Sequence, residues 1–463
     1  MVSLKKSILV TVLFLIAVTP ANATYPSLNI AHWDLSVSND RNDPGYQKVR
    51  DLVTQKQFDA AITILDEKIN NQPKEATPEI LKAIILNEKD KTLKALEVLL
   101  TGFKKERQHP GIHFAFCQIH RKLGNALVSE KACIITAQQH HQDPLSHYEF
   151  ALTLMARGEA KKANKELAES AKLDPKNSTY PYEQGMIFNY LNQNDKAEKS
   201  FKQALSLDKG NIEAAYQLAY IYAKRNDKEQ AEFYINHIID NQPSQSQSSS
   251  AKLLKEYIYK NDIDKLPLKV IPGQYHLSRS KSLYKAKQFG LSLIEAETAA
   301  RLSPGDLKVQ EVLVGLHSMF LRLDMAKKSV EKYIEYAKNN EKFKSRGYQE
   351  LADIEVLRGH LNQAKKLYEK ARDMGDPNGI AKTTLDEFPE IVNKVKQQPL
   401  NPNILFINPI EALNRKGEVF AHYGMYQRAL GIYSMILRMD QVNLTALLNT
   451  ATVNYKKEKY NRV

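Results

Sequence analysis

The chain has 463 residues, 43% of them apolar and 26% charged, with 18 Gly, 18 Pro, two Cys and a formal charge of +13. This composition excludes a disordered or collagen-like chain and a disulfide-stapled miniprotein, and so few backbone breakers among many Ala, Leu, Lys, Glu and Gln favour helices. At about 150 residues per domain, the length allows roughly three domains.

Residues 1–23 read as a secretory signal peptide. Lys5 and Lys6 form a charged start, Ile8 to Val18 is mostly apolar, and Ala21-Asn22-Ala23 is a small-residue cleavage site. The apolar run is shorter than the about 20 residues that a bilayer core requires, so no transmembrane anchor is expected. The mature chain is expected to begin at Thr24, to be exported to a periplasmic or secreted location, and to carry an N-terminal extension over 24–41. Its surplus of basic residues favours anionic partners, and export makes nucleic acid the least expected of them.

From Asn42 one period governs the chain. Ala61, Ala95, Ser129, Ala163, Ala197 and Ala231 lie 34 residues apart, and Leu65, Leu99, Cys133, Leu167, Phe201 and Ile235 follow each by four. A small residue with an apolar one a turn later is what a close helix crossing requires. Pro73, Pro175 and Pro243 recur in the same frame, where a proline stops a helix. Each unit therefore reads as a helix, a short turn and a second helix.

This pattern resembles the tetratricopeptide repeat family, whose 34-residue unit carries small or apolar residues at positions 4, 7, 8, 11, 20, 24 and 27. In the unit that begins at Ser178, Gly185, Phe188, Ala197, Phe201 and Ala204 occupy positions 8, 11, 20, 24 and 27. The resemblance implies an all-α, right-handed superhelical solenoid of stacked helix-turn-helix repeats. Six units start at Asn42, Ala76, Pro110, Pro144, Ser178 and Ile212 and make a first array over 42–245. The Ser/Gln run Ser244 to Ser250 reads as flexible, which makes 246–272 a linker. Three units starting at Gly273, Leu307 and Ser345 make a second array over 273–378. Residues 379–409, with Pro389, Pro399, Pro402 and Pro409, form an irregular spacer. A last unit starts at Ile410, and within 410–463 the stretch Leu444 to Glu458 is expected to be a polar capping helix.

In this family the first helix of each unit lines a concave groove, and the resemblance implies the same here. Position 5 holds Tyr46, Ile80, Phe114, Tyr148, Tyr182 and Tyr216, while Met186 and Tyr220 stand at position 9 and Tyr190 at position 13. Arg121, Lys122 and Lys224 flank this ladder, and Arg50, Lys281 and Lys285 are placed on the same side. The expected partner is a protein or an extended peptide that takes its contact area from the rings. An anionic polysaccharide stacked on the same rings is the alternative. Members that grip a carboxylate tail use Lys at position 5 with Asn at 9; Tyr46 with Arg50, Phe114 with Gln118 and Leu277 with Lys281 do not match. Periplasmic members often serve envelope assembly, which implies a non-catalytic interaction scaffold of the cell envelope.

Motifs for catalysis are missing: there is no His-Glu-x-x-His helix, Gly-rich phosphate loop, Gly-x-Ser-x-Gly elbow or Cys-x-x-Cys pair. No catalytic residue, metal or other cofactor is expected. A metal-binding or enzymatic reading would rest on His109, His113, His120, His140, His141 and His147. Three of these fall at positions 4 and 11, where the repeat packs its helices. Cys117 and Cys133, at positions 8 and 24 of one unit, are expected to be buried free thiols, because position 8 should face position 20 across the pair.

Overall fold

The structure is a computed structural model that describes residues 43–241, 245–261, 271–388 and 409–460. The leader, the N-terminal extension and most of the 379–409 spacer lie outside these residues. Among the described residues there are helices in stacked pairs and no strand. The first array holds α1 (Pro44–Thr54), α2 (Phe58–Asn71), α3 (Thr77–Glu88), α4 (Thr92–Lys105), α5 (Pro110–Lys122), α6 (Ala126–Gln139), α7 (Pro144–Ala156), α8 (Ala160–Leu173), α9 (Thr179–Tyr190), α10 (Asn194–Leu207), α11 (Ile212–Lys224) and α12 (Lys228–Asp240). It is followed by α13 (Gln245–Tyr259), α14 (Gln274–Lys285), α15 (Phe289–Leu302), α16 (Leu307–Met319), α17 (Leu323–Tyr336), α18 (Glu341–Leu357) and α19 (Leu361–Asp373). The short α20 (Ile380–Asp386) precedes α21 (Pro409–His422), α22 (Tyr426–Met439) and α23 (Leu444–Tyr460).

Local chemistry sets both ends of the first helix in a unit. The side chains of Asp43, His109, Asp143, Asn211, Asp306 and Asn340 accept hydrogen bonds from the first-turn amides, and Pro44, Pro110 and Pro144 follow such caps. The turn to the second helix places one residue in the left-handed region at a fixed place. Lys56, Asp90, Gly124, Gly158, Asn192 and Asn226 have positive φ and lie 34 residues apart. Lys287, Leu321, Gly359 and Gly424 fill the same place in the later units. Gly, Asn and Asp enter that region easily, whereas Lys and Leu do so against their steric preference.

Inside each hairpin, positions 8 and 24 share one space and divide its volume. A Cβ at Gly185 would lie 2.6 Å from the ring of Phe201, and one at Gly417 would collide with the ring of Tyr433. The same facing pair explains a correction to the sequence reading. Cys117 and Cys133 are joined in a disulfide, with Cα atoms 5.0 Å apart, and are not free thiols. Ser129, at position 20, does reach the Cys117 carbonyl with its hydroxyl at 2.6 Å. The next turn of α6 still lies beside α5, because the two helices of a hairpin stay in contact along their length.

A second correction concerns the Ser/Gln run, which opens α13 instead of forming a loop. Ala251, Leu254 and Ile258 are buried, and the Gln247 side chain donates to Glu213, 34 residues earlier, at 3.1 Å. The repeat frame thus continues one helix further than the polar composition suggested. Helix α23 departs from expectation in another way: Leu444, Leu448 and Tyr455 are 77%, 65% and 67% exposed, so its outer side is not a polar cap.

The chain divides into two compact units. One holds Lys176–Gly185 and residues 194–261; the other holds residues 43–175, Met186–Gln193 and 271–460. Within the second, the last hairpin α21–α22 is tied to α18 and α19 through a buried charge cluster. Asp353, with no exposed surface, accepts from Arg428 at Nε (3.1 Å) and Nη2, from Lys416 Nζ at 3.1 Å and from the Tyr368 hydroxyl at 2.6 Å. Burial alone would push the Asp353 carboxyl up, but the Arg428 and Lys416 charges overcome it and hold it down at about 2.

Candidate partner-binding surface

The ladder of groove positions does not form one open surface. Tyr46, Ile80, Phe114, Tyr148 and Met186 are buried, and from Thr77 to Asn87 nearly every residue of α3 is inside. Lys68 sits over the Tyr46 ring at 4.2 Å. Arg121 and Lys122 are also engaged within the array. The Arg121 guanidinium donates to Glu149 at 2.8 and 3.2 Å, Gln118 donates to the other Glu149 oxygen, and Lys122 donates to the Asn87 carbonyl at 2.8 Å. These side chains bind one first helix to the next.

Tyr190 is covered by α17: the Lys332 ammonium lies 3.4 Å from its ring centroid, and neighbouring Asn189 donates to the Arg301 and Leu302 carbonyls at 3.0 Å. Burial lowers the Lys332 ammonium to about 8 and raises the Tyr190 phenol. The turn glycines of the same edge meet the second array closely. A Cβ at Gly124 would lie 2.9 Å from Phe320, and one at Gly158 the same distance from Met325. Sequence reasoning missed these contacts because they join residues more than a hundred positions apart.

What remains accessible is a stripe in the smaller unit. Tyr216 and Tyr220 are half-buried and Lys224 is exposed, at successive turns along α11; Tyr182 on α9 is half-buried and packs edgewise near Phe201, with ring centroids 5.7 Å apart. Burial raises the Tyr216 phenol. At the start of the stripe Glu213 is pushed up to about 7, chiefly by burial and against the hydrogen bond from Gln247. The stripe therefore runs from a carboxyl that is half neutral near pH 7, across two rings, to an ammonium.

The histidines are dispersed into separate structural duties. His109 caps α5 through Nδ1 and bonds the Thr77 hydroxyl at 3.1 Å, His120 stacks on Phe116, and His147 places both ring nitrogens on acceptors, Glu166 at 2.7 Å and the His141 carbonyl at 3.2 Å. Burial pushes His120 down to about 4, whereas the Glu166 hydrogen bond raises His147. His276 and Glu295 repeat the His147–Glu166 arrangement at the same positions of a later unit. Among the described residues no group of three or more His, Cys, Asp or Glu side chains is gathered closely enough to hold a metal ion. Nor, among them, is any helix long and apolar enough to cross a membrane.

A family model described as tetratricopeptide repeat matches residues 191–253, from the turn before α10 into α13. Solved structures to which the chain is similar include MamA of Desulfovibrio magneticus RS-1, at 14% identity over 36% of this chain and 94% of that one, with a TM-score of 0.33. They include YrrB, described as a tetratricopeptide repeat protein with an unusual peptide-binding site, at 18% identity over 41% of this chain and 97% of that one, with a TM-score of 0.33. Pseudomonas aeruginosa pilF aligns at 15% identity over 51% of this chain and 95% of that one, with a TM-score of 0.37. No curated protein matches the sequence.

Proposed function

Starting from a chain built of tetratricopeptide repeats, we propose that it is an exported, non-catalytic scaffold of the cell envelope that captures a protein or peptide on the Tyr216, Tyr220 and Lys224 stripe of α11, beside Tyr182. The partial exposure of this stripe carries the reading, since the equivalent rings at Tyr46, Phe114 and Tyr148 are spent on packing. Rings a turn apart offer contact area and hydroxyl hydrogen bonds, and the ammonium favours an acidic neighbour on an extended peptide. The leader-like residues 1–23 support the address. So does the Cys117–Cys133 bridge, because disulfides persist in oxidising compartments.

Affinity capture from the native envelope with the wild-type chain and a Tyr220→Ala/Lys224→Ala variant tests this reading. A defined protein should be recovered by the wild type and depleted about tenfold by the variant, equivalent to about 1.4 kcal/mol, with an unchanged unfolding midpoint. Equal recovery would refute the stripe. Binding that collapses with salt and ignores Tyr220→Ala would identify an anionic polysaccharide instead. Fractionation of the expressed chain, with its N-terminus read at Thr24, checks the export separately.

A further inference from the structure

The second array encloses a cavity of about 540 Å³ among α14, α15, α16, α18, α21 and α22, within the size range of small-molecule sites. Its walls are largely aliphatic, with Val312, Leu316 and Met319 from α16 and Leu413, Ile432 and Met435 from the last hairpin. Four cations also line it. Lys281 and Lys285 are exposed on α14, whereas the Lys416 and Arg428 side chains are only 8% and 17% exposed.

Two carboxylates answer these charges. Asp353 neutralises one of the inner pair, and Glu350 lines the wall and accepts from the Ser318 hydroxyl at 3.2 Å. The remaining charge is positive and partly withdrawn from water, where an uncompensated cation is costly. Arg428 spends Nε and Nη2 on Asp353, which leaves Nη1, and the Lys416 ammonium carries three donors.

Two glycines point to the cavity independently of charge. Gly315 within α16 and Gly431 within α22 both line it, and a Cβ added at either would meet nothing within 4 Å. A glycine inside a helix is destabilising relative to alanine. Neither position has the positive φ of Gly124 or the close neighbour of Gly185. What these two residues preserve is empty volume.

We propose that this cavity binds an aliphatic carboxylate, its apolar chain against the walls from α16 and α22 and its anionic head drawn to Lys416 and Arg428. A free fatty acid and the C-terminus of a peptide that ends in aliphatic residues share this chemistry. Calorimetric titration of the full chain with decanoate, with decanol, and with a short Leu-Val-terminated peptide in free-acid and amidated forms separates them. At least one of the two acids should saturate a single site, and its neutral counterpart should bind about tenfold more weakly or worse. Gly315→Leu and Gly431→Leu should abolish that binding while the thermal midpoint without ligand holds or rises. Lys416→Gln, which leaves Arg428 on Asp353, should weaken the acid about tenfold and leave the neutral counterpart unchanged. Binding retained in both glycine variants, acid and neutral forms bound alike, or no binding by either acid would overturn the proposal.

Discussion

Polar contacts in the first array and in the second obey different rules of distance along the chain. Between residues 43 and 241 they join adjacent units: Arg121 to Glu149, Arg157 to Glu130 and Arg225 to Glu198 all lie within one repeat length. Between residues 271 and 439, Asp353 holds Arg428, 75 positions away, and the Tyr284 hydroxyl lies 3.7 Å from the Met439 sulfur, 155 positions away. A stack with only neighbour contacts derives its stability from local interfaces. Folding the last hairpin back onto the second array adds a closed core with charge inside it.

The strongest way to break this comparison is Asp353→Asn. It leaves Arg428 and Lys416 without their anion, and a loss of about 3 to 5 kcal/mol is expected in chemical denaturation. Asp195→Asn, which removes an exposed partner of Arg225 in the first array, should cost below about 1 kcal/mol. The same cluster predicts an acid transition. Since the folded Asp353 carboxyl is depressed to about 2 from an unfolded value of about 4, its contribution is complete above pH 4 and lost as pH falls toward 2. Near-UV circular dichroism of wild type and Asp353→Asn should differ in that window.

Removal of the Cys117–Cys133 bridge comes next. It closes a loop of 16 residues in sequence, for which loop entropy gives about 3 kcal/mol, and reduction followed by urea unfolding measures it. Gly185→Ala and Gly417→Ala should each cost about 1 to 3 kcal/mol by crowding Phe201 and Tyr433. Similar values for the two would show that hairpin packing is the same in both arrays and that their difference lies only in what the hairpins touch. The smallest effect is favourable: Lys56→Gly and Lys287→Gly relieve left-handed backbone and should stabilise by up to about 1 kcal/mol, read as a raised thermal midpoint.

The hairpins were legible because their determinants repeat every 34 residues. Small residues at position 20, Pro44, Pro110 and Pro144 beside capping side chains, and the Gly, Asn or Asp turn residues are all local. The 8-to-24 pairing was also present in the sequence, as Gly185 with Phe201 and Gly417 with Tyr433, and would have joined Cys117 to Cys133. The Ser/Gln run misled because composition weighs solubility, whereas Ala251, Leu254 and Ile258 supply the helical stripe that packs. For the candidate surface, the family positions found Tyr182, Tyr216, Tyr220 and Lys224. They could not separate these from Tyr46, Phe114 and Tyr148, because exposure depends on what covers a helix.

The sequence by itself determined the helix, turn, helix rhythm, since caps, turn residues and volume pairs act over a few residues or one repeat. Tertiary structure alone decided the rest: that Asp353 would meet Arg428 and Lys416, that Lys332 would cover Tyr190, and that Gly315 and Gly431 would border one cavity. Those meetings depend on how stacked hairpins turn back on themselves, and that is the sum of many small crossing angles, none of which is written at any single residue.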